Sequence, residues 1–309
     1  MRRILLAAGS GGSFTTYFAP TDASWTRSGS NPIISATVAW EETGSGEPRV
    51  HTEGSAWKMW YNGGWTNEGQ GYATSTDGIS WAKYVSNPVY GQGGSGVSGW
   101  AVRGFVYLDG STYYLYTSTG TNGPNFSVAT SSDGIAWTTQ SSSATLPSGK
   151  TLWGNRAVWK EGTAWKMLQE AGTSWAIYLY TSTDGLSWAI GNGGSAVSGL
   201  QVSTDNFGGP TIAMLNGIYA PKISGVYHIW YHDGPGSTTD IYHATSSDLT
   251  TWTRNGPVLT HAGTGFEIDQ VADPSVLIVG ATAYLFYTGV DNAGTTSKIG
   301  LATAPAVPA

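Results

Sequence analysis

Cysteine is absent from this chain of 309 residues. That excludes disulfides and thiolate sites and is neutral on compartment. Charge is scarce. Only 11% of residues are Asp, Glu, Lys or Arg, and the net charge is −6. An acidic balance argues against a nucleic-acid partner. No apolar run approaches the roughly 20 residues of a membrane span, so no membrane insertion is expected. Helical periodicity is missing at every length, and the chain reads as nearly all β. The five histidines (His51, His228, His232, His243, His261) show no metal-ligand spacing. His228 and His232 would share one face of a strand, but about 13 Å apart. No metal or cofactor is implied.

What is plentiful is glycine, at 44 residues, with 15 Trp and 17 Tyr. These suit many tight turns and aromatic packing. One phrase organises them. It runs Tyr72 to Trp81 as YATSTDGISW, Val128 to Trp137 as VATSSDGIAW, Leu179 to Trp188 as LYTSTDGLSW, and His243 to Trp252 as HATSSDLTTW. A fifth copy is split between Gly300 to Ala304 (GLATA) and Ser24 to Arg27 (SWTR). The repeat tryptophans, Trp25, Trp81, Trp137, Trp188 and Trp252, are 56, 56, 51 and 64 residues apart. Such a period, with several strands in each unit, indicates propeller blades. A repeat divided between the chain ends closes a ring.

The phrase reads as a hairpin. Asp77-Gly78, Asp133-Gly134 and Asp184-Gly185 supply the positive φ of a tight turn. Ser75, Ser131 and Ser182, with the Asp carboxylates, accept turn N–H groups. Leu249 replaces the glycine in the fourth copy, which predicts a slightly different turn there. Each Trp then packs against the neighbouring blade. Upstream lie aromatic, period-2 strands beginning at Ala56, Tyr113, Ala164, Tyr227 and Ala283. Upstream again are shorter strands at 47–52, 103–108, 155–160, 220–224 and 273–279. The expected architecture is an all-β, five-bladed β-propeller of four-stranded antiparallel blades over 20–309. The strand around Trp25, within 24–34, completes blade five. Asn31-Pro32-Ile33 and Asn87-Pro88-Val89 follow their Trp strands at the same offset, which makes that closure specific. Residues 1–19 are expected as an N-terminal extension. Their opening apolar stretch is shorter than the roughly 7–15 residues of a signal-peptide core.

Ala272-Asp273-Pro274-Ser275-Val276, Leu285-Phe286-Tyr287-Thr288 and the Ala-Thr-Ser-x-Asp-Gly-x-x-Trp phrase resemble the furanosidase-type glycoside hydrolases, families 43, 32, 62, 68 and 130. The resemblance covers almost the whole chain and implies carboxylates on inner strands facing a central funnel. Glycoside hydrolysis requires a pair of carboxyl groups flanking one bond. Aligned inner strands place Glu47, Arg103, Asn155, Ala220 and Asp273 at the first position. Only two of these are acids, where the resemblance implies three. Asp273 and Glu47 are the candidate catalytic pair. Glu267 and Asp269 ahead of blade five, or Glu41 and Glu42 ahead of blade one, are candidates for the missing acid.

The same strands carry Arg49, Arg103, Arg156 and Lys222. Guanidinium groups facing the funnel would bind an anionic sugar through bidentate forks, a reading supported by a likeness to sialidases. Pairing with Glu47, Asp273 or Glu161 is the structural alternative. Trp40, Trp65, Trp100, Trp153, Trp175 and Tyr219 lie outside the repeat positions. Trp100 and Trp153, close before inner strands, are expected with Asn155 near the funnel mouth, where aromatic faces stack on sugars. Inter-blade packing is the competing use.

Two function classes follow. One is an active glycosidase using Asp273 and Glu47. The other, favoured by the incomplete acid set, is a glycan-recognition or structural module. Sparse charge and abundant Gly, Ser, Thr and Trp suit an exposed surface protein. This reading places the chain outside the cell or on a virion without a cleavable signal, as a phage minor tail protein. Its expected partners are cell-surface carbohydrate and, through residues 1–19, other virion proteins.

Overall fold

The computed structural model describes residues 17–22, 24–64, 68–91, 94, 97, 100–119, 125–140, 142–144, 154–171, 176–201, 206–291 and 296–308. Five antiparallel sheets form the blades of a propeller. Blade one runs Ser45–Glu53, Ala56–Gly63, Gly69–Ser75 and Ala82–Lys83. Blade two runs Ala101–Asp109, Thr112–Thr119, Asn125–Ser131 and Thr138–Thr139. Blade three runs Arg156–Glu161, Ala164–Ala171, Ala176–Ser182 and Ser187–Ile190. Blade five runs Gln270–Val279, Thr282–Asp291 and Thr296–Pro305, completed by Thr26–Arg27. The N-terminal closure is therefore as the split phrase predicts, and it gives blade five its fourth strand. Tyr17–Phe18 adds a second tie between the chain ends by pairing with Val307–Pro308.

Blade four corrects one expectation. Its inner strand is Asn206–Thr211, not 220–224, and it pairs with Val226–Gly234, followed by Asp240–Ser246 and Thr253–Leu259. Gly208-Gly209-Pro210 hides the strand, because it shows no apolar alternation. Lys222–Ile223 is only the short arm of a hairpin with Val226–Tyr227. The segment between crosses the base of the ring. Met214–Leu215 pairs with Leu277 and Ile278 of blade five. Tyr219 stacks on Phe105 and Tyr107 at 5.4 and 5.5 Å and donates its hydroxyl to Val106 O at 2.9 Å. That ring packs against the inner strands of blades one and two, where its hydroxyl also meets His51 Nε2 at 3.1 Å.

The repeated phrase holds the outer rim. Ser75 Oγ accepts the N–H groups of Asp77 and Gly78 and donates to Asp77 Oδ1 at 2.9 Å. Asp77 Oδ1 also accepts the N–H groups of Ile79 and Ser80, each at 2.8 Å. Copies at Ser131–Ala136, Ser182–Ser187 and Ser246–Thr251 repeat these bonds. The fourth turn does not differ. Leu249 takes φ 70°, close to the 74–79° of Gly78, Gly134 and Gly185. Its side chain is buried with Trp252, which offsets the cost of the left-handed backbone. Trp81 meets Phe286 of blade five edge-on at 6.0 Å, and Trp188 meets Tyr116 of blade two at 5.9 Å. The phrase thus joins neighbouring blades.

Candidate functional site

Two rings of five positions build the funnel mouth. The first lies on the inner strands. Ladder registers slip between Gly46 and Arg49, Val102 and Phe105, Gly208 and Thr211, and Ala272 and Ser275. At these bulges Glu47, Arg103, Gly209 and Asp273 adopt φ of 52, 55, 61 and 50°. A bulge turns its side chain out of the ladder. For a non-glycine residue this backbone costs about 1–3 kcal/mol, and such strain gathers at functional sites. Asn155 holds the equivalent place in blade three, and Gly209 stands where Ala220 was expected.

The second ring lies on the second strands. Arg49, Phe105, Ala157, Thr211 and Ser275 pair with Trp60, Tyr116, Leu168, Trp230 and Phe286. Two residues beyond those partners stand Asn62, Ser118, Glu170, His232 and Thr288. The rings enclose a cavity of about 210 Å³. Glu47, Arg103, Asn155 and Asp273 line it from the first ring, and Asn62, Glu170, His232 and Thr288 from the second. Glu68, just ahead of the third strand of blade one, also lines it. That volume is below the 300–1,000 Å³ of drug-sized pockets.

Hydrogen bonds fix the acids. Asn155 Nδ2 donates to Asp273 Oδ1 at 2.9 Å, and the Thr288 hydroxyl also bonds the Asp273 carboxylate. Glu47 N–H donates to Thr288 Oγ1 at 2.8 Å. Glu170 Oε2 accepts the N–H groups of Asn155 at 3.1 Å and Gly209 at 3.4 Å. Any Cβ at Gly208 would strike that oxygen, so glycine makes room for the acid. Glu47 Oε2 is shielded from solvent and has no hydrogen-bond partner among the described residues.

Burial pushes the Glu47 carboxyl up to about 7, with Arg103 opposing and Asp273 adding to the rise. Burial likewise raises Glu170 to about 7 against Arg103. Glu68 rises to about 7 through burial and then the Glu47 charge. Asp273 is raised by burial, while Arg49, Arg103 and Thr288 pull it back. Burial disfavours the charge on Arg103, but the surrounding carboxylates outweigh it and hold the pKa above its usual value. His232 is pushed down to about 4 by burial. Its Nδ1 lies 3.4 Å from Asp273 Oδ1 but accepts the Asp273 N–H at 3.2 Å. The imidazole is therefore neutral, and the contact is not an ion pair.

The remaining predicted residues lie elsewhere. Glu267 is buried away from the cavity. It accepts Arg27 Nε at 2.6 Å and the Tyr287 hydroxyl at 2.5 Å. Glu41 is spent in the same way on Lys83 and Tyr61. Neither supplies the missing acid, because both carboxylates are consumed by cations and tyrosines. Arg49 lies under the cavity, bonded to Pro48 O and Pro274 O at 2.9 and 3.1 Å. Arg156 is buried at the junction of blades two and three, on Gln169, Ser118 and Gly154. Lys222 is at the surface, bonded to Glu161. The cations therefore do not converge, and only Arg103 lines the cavity. Trp100 is half-buried before blade two and is not a lining residue, Trp40 packs on Tyr61, and Tyr219 packs on Phe105 and Tyr107. Trp65, Trp153 and Trp175 lie outside the described residues.

Sequence reading missed Glu68, Glu170 and His232. Aligning the second strands as well as the first would have exposed Glu170 and His232, since both occupy the position of Asn62 and Thr288. Among the described residues no cluster of His, Cys, Asp and Glu has the arrangement of a metal site.

No protein-family model matches the chain, and no curated protein matches it. Solved structures do. The catalytic domain of a family 62 α-L-arabinofuranosidase from Coprinopsis cinerea superposes with a TM-score of 0.70 at 15% identity, covering 94% of this chain and 100% of that one. A glycosyl hydrolase from Bacteroides ovatus gives 0.67 at 18%, covering 96% and 97%. A structure from the family 130 mannoside phosphorylases, described as containing hydrolases of β-1,2 mannosidic linkages in Candida mannan, gives 0.64 at 17%, covering 96% and 97%. The chain is a five-bladed β-propeller whose structural neighbours are glycoside hydrolases.

Proposed function

We propose that this protein is a glycoside hydrolase acting on a sugar seated in the funnel cavity. The observation that carries the reading is Glu170. It brings a third carboxylate to the cavity, from a second strand, beside Glu47 and Asp273, where the inner strands alone offer two. Glu47, with an oxygen that has no hydrogen-bond partner among the described residues and a pKa near 7, is the general acid that protonates the leaving oxygen. Asp273, bonded by Asn155 and Thr288 and facing Arg49 and Arg103, is the partner carboxyl on the other side of the bond. Glu170 and Arg103 set the charge around them. The glycosidase folds of the structural neighbours support this reading. Four cavity carboxyls against Arg103 favour a neutral sugar over an acidic one.

The test is reducing-sugar release from arabinan, fructan, mannan and bacterial wall polysaccharide. Release by the native chain, lost in Glu47→Gln, Asp273→Asn and Glu170→Gln, supports the proposal. Release that survives all three substitutions overturns it. Arg103 and Asn155 at first-ring positions favour a second reading, a non-catalytic glycan-recognition module such as a virion tail protein. That reading predicts saturable glycan binding without turnover.

A further inference from the structure

Blades one and five, the two whose first-ring residue is an acid, share a buried clamp that is not repeated in this form among the described residues of the other blades. A short 3₁₀ turn, Ala39–Glu41 or Gly265–Glu267, ends in glutamate. That glutamate lies six residues before the bulged acid, Glu41 before Glu47 and Glu267 before Asp273. Both are at most 2% exposed. Each accepts a tyrosine hydroxyl, Tyr61 at 2.8 Å or Tyr287 at 2.5 Å. Each is paired with a cation of the fourth strand, Lys83 or Arg27, at 2.6 Å. An asparagine completes each tyrosine, Asn87 at 3.2 Å or Asn31 at 3.0 Å. The residue before each glutamate packs on the same tyrosine, Trp40 at 5.9 Å and Phe266 at 6.4 Å. Blades two and three carry Thr117 and Gln169 where the tyrosines stand, and in blade four Tyr231 donates to Leu200 O at 3.0 Å.

The clamp reaches the cavity by a short covalent path. The residue after Tyr287 is Thr288, which bonds both Glu47 N–H and the Asp273 carboxylate. The residue after Tyr61 is Asn62, which lines the cavity. Glu41 O accepts the N–H groups of Gly44 and Gly64 at 2.9 and 3.2 Å, and both glycines line the same cavity. A buried carboxylate bonded to both a cation and a tyrosine resists displacement, because separating it strands a charge.

Resting on the hydrolase reading, we infer that Glu41 with Tyr61 and Glu267 with Tyr287 are positioning pairs, the first for Glu47 and the second for Asp273. The clamps hold the approach loop and second-strand tip of each acid-bearing blade in one place. They touch no substrate themselves.

The test is carboxyl titration by carbon NMR on the full chain, which reads Glu47 and Asp273 whether or not any glycan is cleaved. Tyr61→Phe and Tyr287→Phe break the clamps without changing charge, and Lys83→Arg is the conservative control. Tyr61→Phe is expected to move the Glu47 midpoint more than that of Asp273, and Tyr287→Phe to do the reverse. Lys83→Arg should leave both near their native values. Folding is followed by melting in the same samples. If a variant does not fold, the other clamp still tests the proposal. Lower melting temperatures with both midpoints unmoved, or both variants moving the same group, overturn it. Absence of hydrolysis with selective midpoint shifts would sink the hydrolase reading and leave the positioning intact.

Discussion

The outer rim and the funnel mouth use the same residue type to opposite ends. At the rim, Asp77, Asp133, Asp184 and Asp248 each accept two backbone N–H groups and a serine hydroxyl. Those bonds hold their carboxyls below the usual range, with Asp248 down to about 2. At the mouth, burial drives Glu47, Glu68 and Glu170 up to about 7. The rim repeats almost without change. The mouth differs at every blade: Glu47, Arg103, Asn155, Gly209, Asp273. Repetition serves the fold, and departure from it marks the site. An exposed carboxylate whose Oδ1 is held by three hydrogen bonds is a structural part, whereas one buried with an oxygen that has no partner among the described residues is poised to exchange a proton.

The largest expected effect separates the two regions by activity. Glu47→Gln or Asp273→Asn should lower kcat about 10²–10⁴-fold, the usual range for losing a positioned acid or base. Asp133→Asn at the rim should leave kcat within a fewfold of native. Comparable losses from both would erase the distinction. Stability should run the other way. Trp188→Ala opens a blade junction and should cost about 3–5 kcal/mol in denaturant unfolding. Ser131→Ala strands the N–H groups of Asp133 and Gly134 and should cost about 1–3 kcal/mol. An unchanged unfolding midpoint in Trp188→Ala would contradict the role of the phrase as inter-blade packing.

A further effect is on pH. Glu47 and Glu170 have folded pKa values raised from 4.5 to about 7. The native state therefore binds more protons than the unfolded chain between these values, and stability falls as pH rises through that window. The rim aspartates are depressed below 3.8, so their contribution is present above that pH and lost as pH falls. Glu170→Gln should flatten the decline between pH 4.5 and 7 and leave the acid limb unchanged. Calorimetric melting across pH reads both limbs.

Much of the fold was written in local chemistry. The Ser-x-Asp turn, the Trp spacing and the paired Asn-Pro offsets carry their own geometry, so blade count and closure are readable from the sequence. Blade four was not, because Gly208-Gly209-Pro210 forms a strand through a bulge that needs neither apolar alternation nor β-branched residues. The site was half legible. Glu47 and Asp273 follow from inner-strand alignment. Glu170 and His232 sit on second strands, and only sheet register shows that they reach the same cavity. Glu267 misled because proximity in sequence to Asp273 does not reveal the tyrosine and arginine that occupy it.

The contrast between rim and mouth rests on where their carboxyls titrate. Carbon NMR titration of the native chain, resolving Glu47 and Glu170 at the mouth and Asp133 and Asp184 at the rim, measures this directly. The expected result is midpoints near 7 for the two glutamates and below 3.8 for the two aspartates. Glutamate midpoints near 4.5, the value of a solvated carboxyl, would contradict the account.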